Sequence, residues 1–234
     1  MNDFGAAFLT AAQLLTALDP ALVEIVVLSL EVSLTATLLA TAIGLPLGAA
    51  VAVYRFPGRA LVTALLNAFM GLPPVVVGLS VYLLLSRAGP LGDSGLLFTP
   101  AAMVIAQSIL VTPIIAALTR QTVADLHGEY HDELDSLGAS RFDTIGVLLW
   151  DGRFSLLTAV LAGLGRAIAE VGAVIIVGGN INHVTRVMTT AITLETSKGN
   201  LALALALGIV LVSLALTINL MALGVRRVAE VRYG

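Results

Sequence analysis

The chain contains no cysteine. That excludes a disulfide framework, thiolate chemistry and any cysteine-ligated metal. Lysine is nearly absent as well, its single occurrence being Lys198. No G-x-x-x-x-G-K-[ST] run exists, so the chain has no phosphate-cradling loop of its own for ATP. His127, His131 and His183 lie outside the long apolar stretches, and there is neither an H-E-x-x-H run nor a Ser/Lys dyad. An intramembrane hydrolase is therefore a poor fit. Charge is scarce too: 12% of residues are charged, against about 25% in an average soluble domain.

What fills the chain instead is apolar. Hydrophobic residues make up 58% and the mean hydropathy is +1.01. Val32–Tyr54, Ala60–Ser86, Ser94–Thr119 and Gly199–Val225 carry no charge, and each exceeds the about 20 residues that cross a hydrocarbon core of about 30 Å. A fifth stretch, Phe154–Gly179, is apolar, small or Gly-rich except for Arg166 and Glu170. The expectation is an all-α, polytopic membrane protein with five transmembrane helices near 24–54, 61–86, 97–119, 155–179 and 200–225. That leaves no room for a second, soluble domain. Residues 1–20 lack a basic leading segment and do not read as a signal peptide. Phe4, Phe8, Leu9, Leu14, Leu15 and Leu18 fit either a short interfacial helix closed by Asp19-Pro20 or a frayed tail.

Basic residues near span ends prefer the cytoplasm. With the N-terminus outside and the C-terminus inside, the inner loops collect Arg55, Arg59, Arg120, Arg141, Arg153, Arg226, Arg227 and Arg232. The outer side keeps Arg87, Arg186 and Lys198. The pair Arg226-Arg227 is expected to stop the last helix at the inner face, with 226–234 as a cytoplasmic tail.

Arg166 and Glu170 are the most informative residues, because a charge in hydrocarbon costs roughly 2.5–3.5 kcal/mol even on lenient scales. On one continuous helix entered near Ser155 they would lie about 16 Å and about 22 Å deep, four residues apart and able to pair. Gly165, Ala169 and Gly172 form a small-residue face for another helix. Either the pair is a structural ion pair, or Arg166, Glu170 and Gly172 belong to a pathway or gate. Gly71-Leu72-Pro73-Pro74 should break the second span, since proline removes a backbone donor.

The largest inner segment, 120–153, reads as helix, glycine, turn, helix. Leu126, Tyr130, Leu134 and Leu137 share one helical face. Gly138 suits a left-handed helix end, and Ser140 with Asp143 forms a capping-box pattern. An amphipathic linker lying on the membrane and a grip for a soluble partner both fit. Beyond Gly178-Gly179-Asn180 the outer loop offers Thr185, Arg186, Thr189 and Thr190, hydroxyls and a guanidinium that suit a tetrahedral oxyanion or a partner protein.

Asp132-Glu133-Leu134-Asp135-Ser136-Leu137-Gly138-Ala139-Ser140-Arg141, followed by Leu148-Leu149-Trp150-Asp151, resembles the EAA loop of ABC importer permeases. Asp132, Glu133 and Leu134 depart from E-A-A, and Asp151 replaces a proline. The runs Gly165–Ala173, Val177–Ile181, Thr185–Ile192 and Leu194–Gly199 resemble oxyanion permeases of the molybdate and tungstate type, most closely the tungstate branch. The resemblance spans roughly 24–225. It implies the type I importer permease fold and places ATPase coupling at Asp132, Glu133, Leu137, Gly138, Ala139, Ser140 and Arg141. The partners it implies are a cytoplasmic ABC ATPase dimer carrying Mg-ATP, an extracytoplasmic oxyanion-binding protein, a second copy of the chain and membrane lipids. Nucleic acid is not among them. No catalytic residue, metal or cofactor is expected on this chain. The competing class is a secondary carrier using Arg166 and Glu170 as a proton relay, but no internal repeat of the kind common in such carriers is visible.

Overall fold

The computed structural model describes residues 2–233. Among the described residues every regular element is helical. In chain order these are α1 (Asn2–Thr16), α2 (Pro20–Val53), α3 (Arg59–Phe69), α4 (Pro74–Leu85), α5 (Pro100–Ser136), α6 (Arg141–Asp151), α7 (Arg153–Ile168), α8 (Gly172–Gly178), α9 (Met188–Ser197) and α10 (Leu201–Tyr233). A short 3-10 turn at Gly92–Ser94 precedes α5.

Local chemistry explains several boundaries. The Asp19 carboxylate accepts the Ala21 and Leu22 backbone N–H groups at 3.0 and 3.2 Å. Pro20 then takes the first helical position, where a missing N–H costs nothing. The expected second span is interrupted at the prolines, with Pro73 extended at the start of α4. Three helices are long and apolar enough to cross a membrane alone: Pro20–Val53, Pro100–Ser136 and Leu201–Val225. The count reaches five if α3 with α4, and α6 with α7, are each taken as one broken span.

The fourth expected span differs from the reading of 155–179 as one helix. α7 ends at Ile168 and α8 begins at Gly172, so Glu170 lies in the break and not on a helix face. The 22 Å depth drawn from an unbroken helix therefore does not apply. The last helix also departs from expectation, running past Arg226-Arg227 to Tyr233. A basic pair favours a helix C-terminus but does not break a helix. Apolar side chains such as Leu38, Leu83 and Leu220 point outward, as suits helices whose solvent is hydrocarbon.

The chain divides into two compact units. One comprises Met1–Ala36, Pro73–Gln107 and Arg166–Thr217. Here α4 lies against α8, and the approach is close because Gly78 faces Ala173: a Cβ at Gly78 would sit 2.8 Å from the Ala173 Cα. Phe98 donates its N–H to the Val177 carbonyl at 3.0 Å and sets its ring edge-on to Tyr82. Met103 fills the space beside Gly178.

The other unit comprises Thr37–Leu72, Ser108–Gly165 and Ile218–Gly234. Its core joins Ala49, Ala52 and Val53 of α2, Val123 and Leu134 of α5, and Leu148 of α6. Arg59 donates to the Val51 and Ala52 carbonyls at 2.8 and 2.6 Å, satisfying acceptors that the end of α2 leaves open. α6 and α7 meet at Gly152 with a bend of 74°.

The glycine contact gives a direct test. Gly78→Leu is expected to destabilise the solubilised chain by about 2 kcal/mol or more, since backbone cannot yield to the added carbons. Gly208, with open space at its Cβ position, is expected to accept alanine with no loss. Thermal unfolding in detergent checks both.

Candidate functional site

The break between α7 and α8 is built from groups that satisfy one another. Glu170 is 5% exposed. Its carboxylate accepts the Ala173 N–H at 3.1 Å, which supplies one of the donors left open at the start of α8. Its backbone N–H returns to the Ala167 carbonyl at 3.2 Å. Its backbone carbonyl accepts the Thr189 hydroxyl at 2.8 Å. The Ala167 carbonyl also accepts the Gln107 side-chain amide at 3.0 Å. Gly172 opens α8 where a Cβ would lie 3.0 Å from Val75, so the small residue admits the first turn of α4.

Arg166 lies 3.5 Å from Glu170, half exposed while the carboxylate is buried. The expected pairing is present, as an ion pair with one hydrogen-bonding oxygen committed elsewhere. A small pocket at this point is lined by Ser29, Ser33, Gln107, Glu170 and Thr189. Ser29 gives its hydroxyl hydrogen to Ile25 and accepts the Met188 N–H at 2.7 Å, while Thr189 gives its own to Glu170. A carboxylate and committed hydroxyls make a poor resting place for an oxyanion, which needs donors.

The loop after α8 differs from the expected display of hydroxyls. Thr185 and Thr190 are fully buried and Thr189 nearly so. Thr185 donates to the Gly178 carbonyl and accepts the Ile181 N–H at 3.0 Å. Thr190 lies 3.0 Å from the Asn180 side-chain oxygen and accepts the Val187 N–H at 3.2 Å. Gly179 and Asn180 adopt left-handed φ of 71° and 50°, so the chain reverses there and its hydroxyls replace the helical partners. These threonines stitch the loop and do not present it.

Arg186 is mostly buried and approaches Glu195 at 4.0 Å. Glu195 is buried, 3.0 Å from the Lys198 ammonium and 2.9 Å from the Asn200 amide. The Lys198 bond, helped by Asn200 and Arg186, outweighs burial and holds the Glu195 carboxyl below the usual carboxylate range. At the start of α2, Glu24 meets His183 at 2.8 Å.

The second site residue set lies on α5 and α6, within the other unit. α5 continues unbroken from the apolar stretch into the polar segment. It closes with Gly138 at φ +69° and with the Ala139 N–H on the Leu134 carbonyl at 3.0 Å. Ser140 and Asp143 form the expected capping box at the start of α6. Leu134 is buried as its helical face requires, with Leu126 and Tyr130 packed beside it. Leu137 departs from that face at 81% exposure, because the helix has ended at Ser136. Phe142 and Trp150 are 80% and 72% exposed. Asp132, Glu133 and Ser140 are exposed, and Ala139 packs inward. Arg141 stacks 5.6 Å over the Tyr54 ring, and Arg153 lies 5.0 Å over Trp150. Below them Asp151, then Glu129, pushes the Tyr130 phenol up. Burial, then His131, lowers His127.

Three participants escaped the sequence reading: Gln107, Ser29 and Glu195. Gln107 left a signal, as the one amide in an apolar run. Ser29 and Glu195 become visible only through the tertiary partners they meet.

Two outcomes follow from these contacts. The depressed Glu195 carboxyl contributes stability above the unfolded carboxylate pKa and loses it as pH falls through the folded value. Amide protection across 186–200 should therefore drop below about pH 4, and Glu195→Gln should remove that acid step. Ser140→Ala is expected to cost about 1 kcal/mol, visible as faster amide exchange at the start of α6.

Residues 44–230 match the family of binding-protein-dependent transport system inner membrane components. The chain is 44% identical over 210 residues to a probable anion ABC transporter permease protein of Haloferax volcanii, covering 88% of this chain and 90% of that one. It is 40% identical over 219 residues to the tungstate uptake system permease protein of Peptoclostridium acidaminophilum, covering 94% and 96%. A sulfate transport system permease of Escherichia coli is more distant, at 29% over 170 residues, or 70% and 61% of the two chains. With its apolar helices and a family match across most of its length, the chain belongs to the inner-membrane permease subunits of binding-protein-dependent ABC importers, multi-pass proteins of the cytoplasmic membrane.

Proposed function

We propose that the chain carries an oxyanion, tungstate first, across the cytoplasmic membrane as the permease subunit of an ATP-driven importer. The observation that carries the substrate is the 40% identity to a tungstate uptake permease across 94% of the chain. In this reading the permease works as a homodimer around a central path, with the N-terminus outside and the C-terminus inside. Two ATPase subunits bind Mg-ATP inside, and an oxyanion-binding protein docks outside. The chain itself makes and breaks no covalent bond.

The loop around Gly138 is the proposed handle for the ATPase. Asp132, Glu133, Leu137, Gly138, Ala139, Ser140 and Arg141 lie on one capped helix–turn–helix. Leu137, Phe142 and Trp150 offer the apolar side chains that a soluble groove would cover. Exposed large apolar side chains near charged ones are what a protein interface uses. α5 runs from the apolar stretch into this loop without a break, with Pro113 inside it. ATP-driven closure would move this loop, open the path outward to the binding protein, and hydrolysis would reset it.

Arg166, Glu170 and Gly172 are the proposed gate. A buried carboxylate keeps an oxyanion from lingering at this point, and Arg166 keeps the field from becoming repulsive outright. Thr185, Arg186, Thr189 and Thr190 shape the outer loop, and their contribution to binding-protein contact is through its fixed form. The identity to an anion permease at 44% keeps molybdate or another oxyanion as the second reading.

The test uses proteoliposomes holding this chain with its copurifying ATPase and binding protein. Tungstate-loaded binding protein should stimulate both ATP hydrolysis and tungstate uptake, and Gly138→Pro should reduce both at least about tenfold, since φ +69° is closed to proline. Stimulation by molybdate alone would overturn the tungstate reading. Uptake without ATP would overturn the importer mechanism and favour a proton-coupled carrier.

A further inference from the structure

Gln107 belongs to no motif in the sequence, yet it is 3% exposed and bonds at the break between α7 and α8. Its orientation is fixed, because only the nitrogen end of the amide can donate to the Ala167 carbonyl, 3.0 Å away. The oxygen end is buried with no hydrogen-bond partner among the described residues. A buried unpaired acceptor costs about 1–3 kcal/mol. An apolar residue of the same shape would avoid that penalty, so the amide is not explained by packing. What it supplies is a second donor to the Ala167 carbonyl, which among the described residues has the Glu170 N–H as its backbone partner outside the helices.

The same carbonyl is therefore the pivot of the turn that places Glu170. With Gln107 bonded to it, Glu170 N–H closes the turn, Thr189 secures the Glu170 carbonyl, and the carboxylate meets Ala173 and Arg166. Loss of the Gln107 donor leaves that carbonyl with the Glu170 N–H alone, so the end of α7 is freer to extend or rotate. Either movement displaces Glu170 from Arg166.

We propose that Gln107 is a positioning residue for the gate, holding the Ala167 carbonyl so that the Arg166–Glu170 pair is set for transport. This rests on the importer reading above and on Glu170 acting as a gate. Gln107 does not touch the substrate. It acts through the turn.

Two substitutions separate positioning from packing. Gln107→Met fills the space without a donor. It is expected to slow tungstate uptake about three- to tenfold, the worth of one hydrogen bond, while ATP hydrolysis without binding protein stays within about twofold. Gln107→Glu also lacks the donor while ionised, and its charge opposes Glu170. Protonation restores an O–H donor, and burial beside Glu170 favours the protonated form, so across a pH series its uptake should rise toward wild type as pH falls while the Met variant stays slow.

Amide exchange on the purified chain, without partners, should be faster across 169–173 in the Met variant and unchanged in α4. Wild-type uptake in both variants, or a loss matched by equal losses of basal hydrolysis and folded protein, would overturn the proposal. If the wild-type complex shows no ATP-dependent uptake, the importer reading fails. The exchange experiment then still decides whether Gln107 holds the turn.

Discussion

Hydrocarbon offers no water, so backbone N–H and C=O groups freed by an interrupted span must find partners within the protein. That constraint organises the unit around Glu170. The interruption at 169–171 frees groups on both α7 and α8, and side chains from α5, α8's own approach and α9 answer them. Ser29 of α2 does the same for the first turn of α9. A carboxylate that reads in sequence as one member of an intramembrane pair with Arg166 is thus also a helix cap. The close contact of Gly78 with Ala173 then fixes α8 on α4. The Ala167 carbonyl and the Glu170 carboxylate each have two partners, so each contact removed weakens the network that holds the break.

The segment around Gly138 obeys a different rule. It lies at the polar end of α5, where water satisfies open groups, and its order comes from local caps. Gly138 supplies the left-handed turn, and Ser140 with Asp143 starts the next helix. Leu134 and Leu148 anchor the two helices in one apolar cluster. A stiff element with exposed Leu137, Phe142 and Trp150 fits transmission of force from a soluble partner.

Legibility in the sequence tracked the range of the interactions. The long apolar stretches announced α2, α5 and α10, the prolines announced the break before α4, and the glycine and capping pair announced the loop. Each of those signals is local. The break at 169–171 was not legible, because Gly165–Gly179, apart from Arg166 and Glu170, is apolar and small whether it is helical or interrupted. Only the meeting of Glu170 with Ala173, Thr189 and Arg166 decides the outcome. Thr185 and Thr190 likewise look like an exposed hydroxyl set until Gly178, Asn180 and Val187 are seen to claim them. Leu137 followed the helical period on paper, but Gly138 ended the helix before it could be buried. The pair Arg226-Arg227 suggested a stop that the helix ignores.

The central claim is that the loop around Gly138 faces the cytoplasm and seats on a separate ATPase. The absence of cysteine makes that open to single-site chemistry. Leu137→Cys and Phe142→Cys would each supply the chain's sole thiol, for cross-linking to the ATPase in membranes with and without ATP. The account predicts a cross-link to the ATPase whose yield changes with nucleotide, and protection of both thiols from a membrane-impermeant reagent added outside. Labelling from the outside, or no cross-link in either nucleotide state, would contradict it.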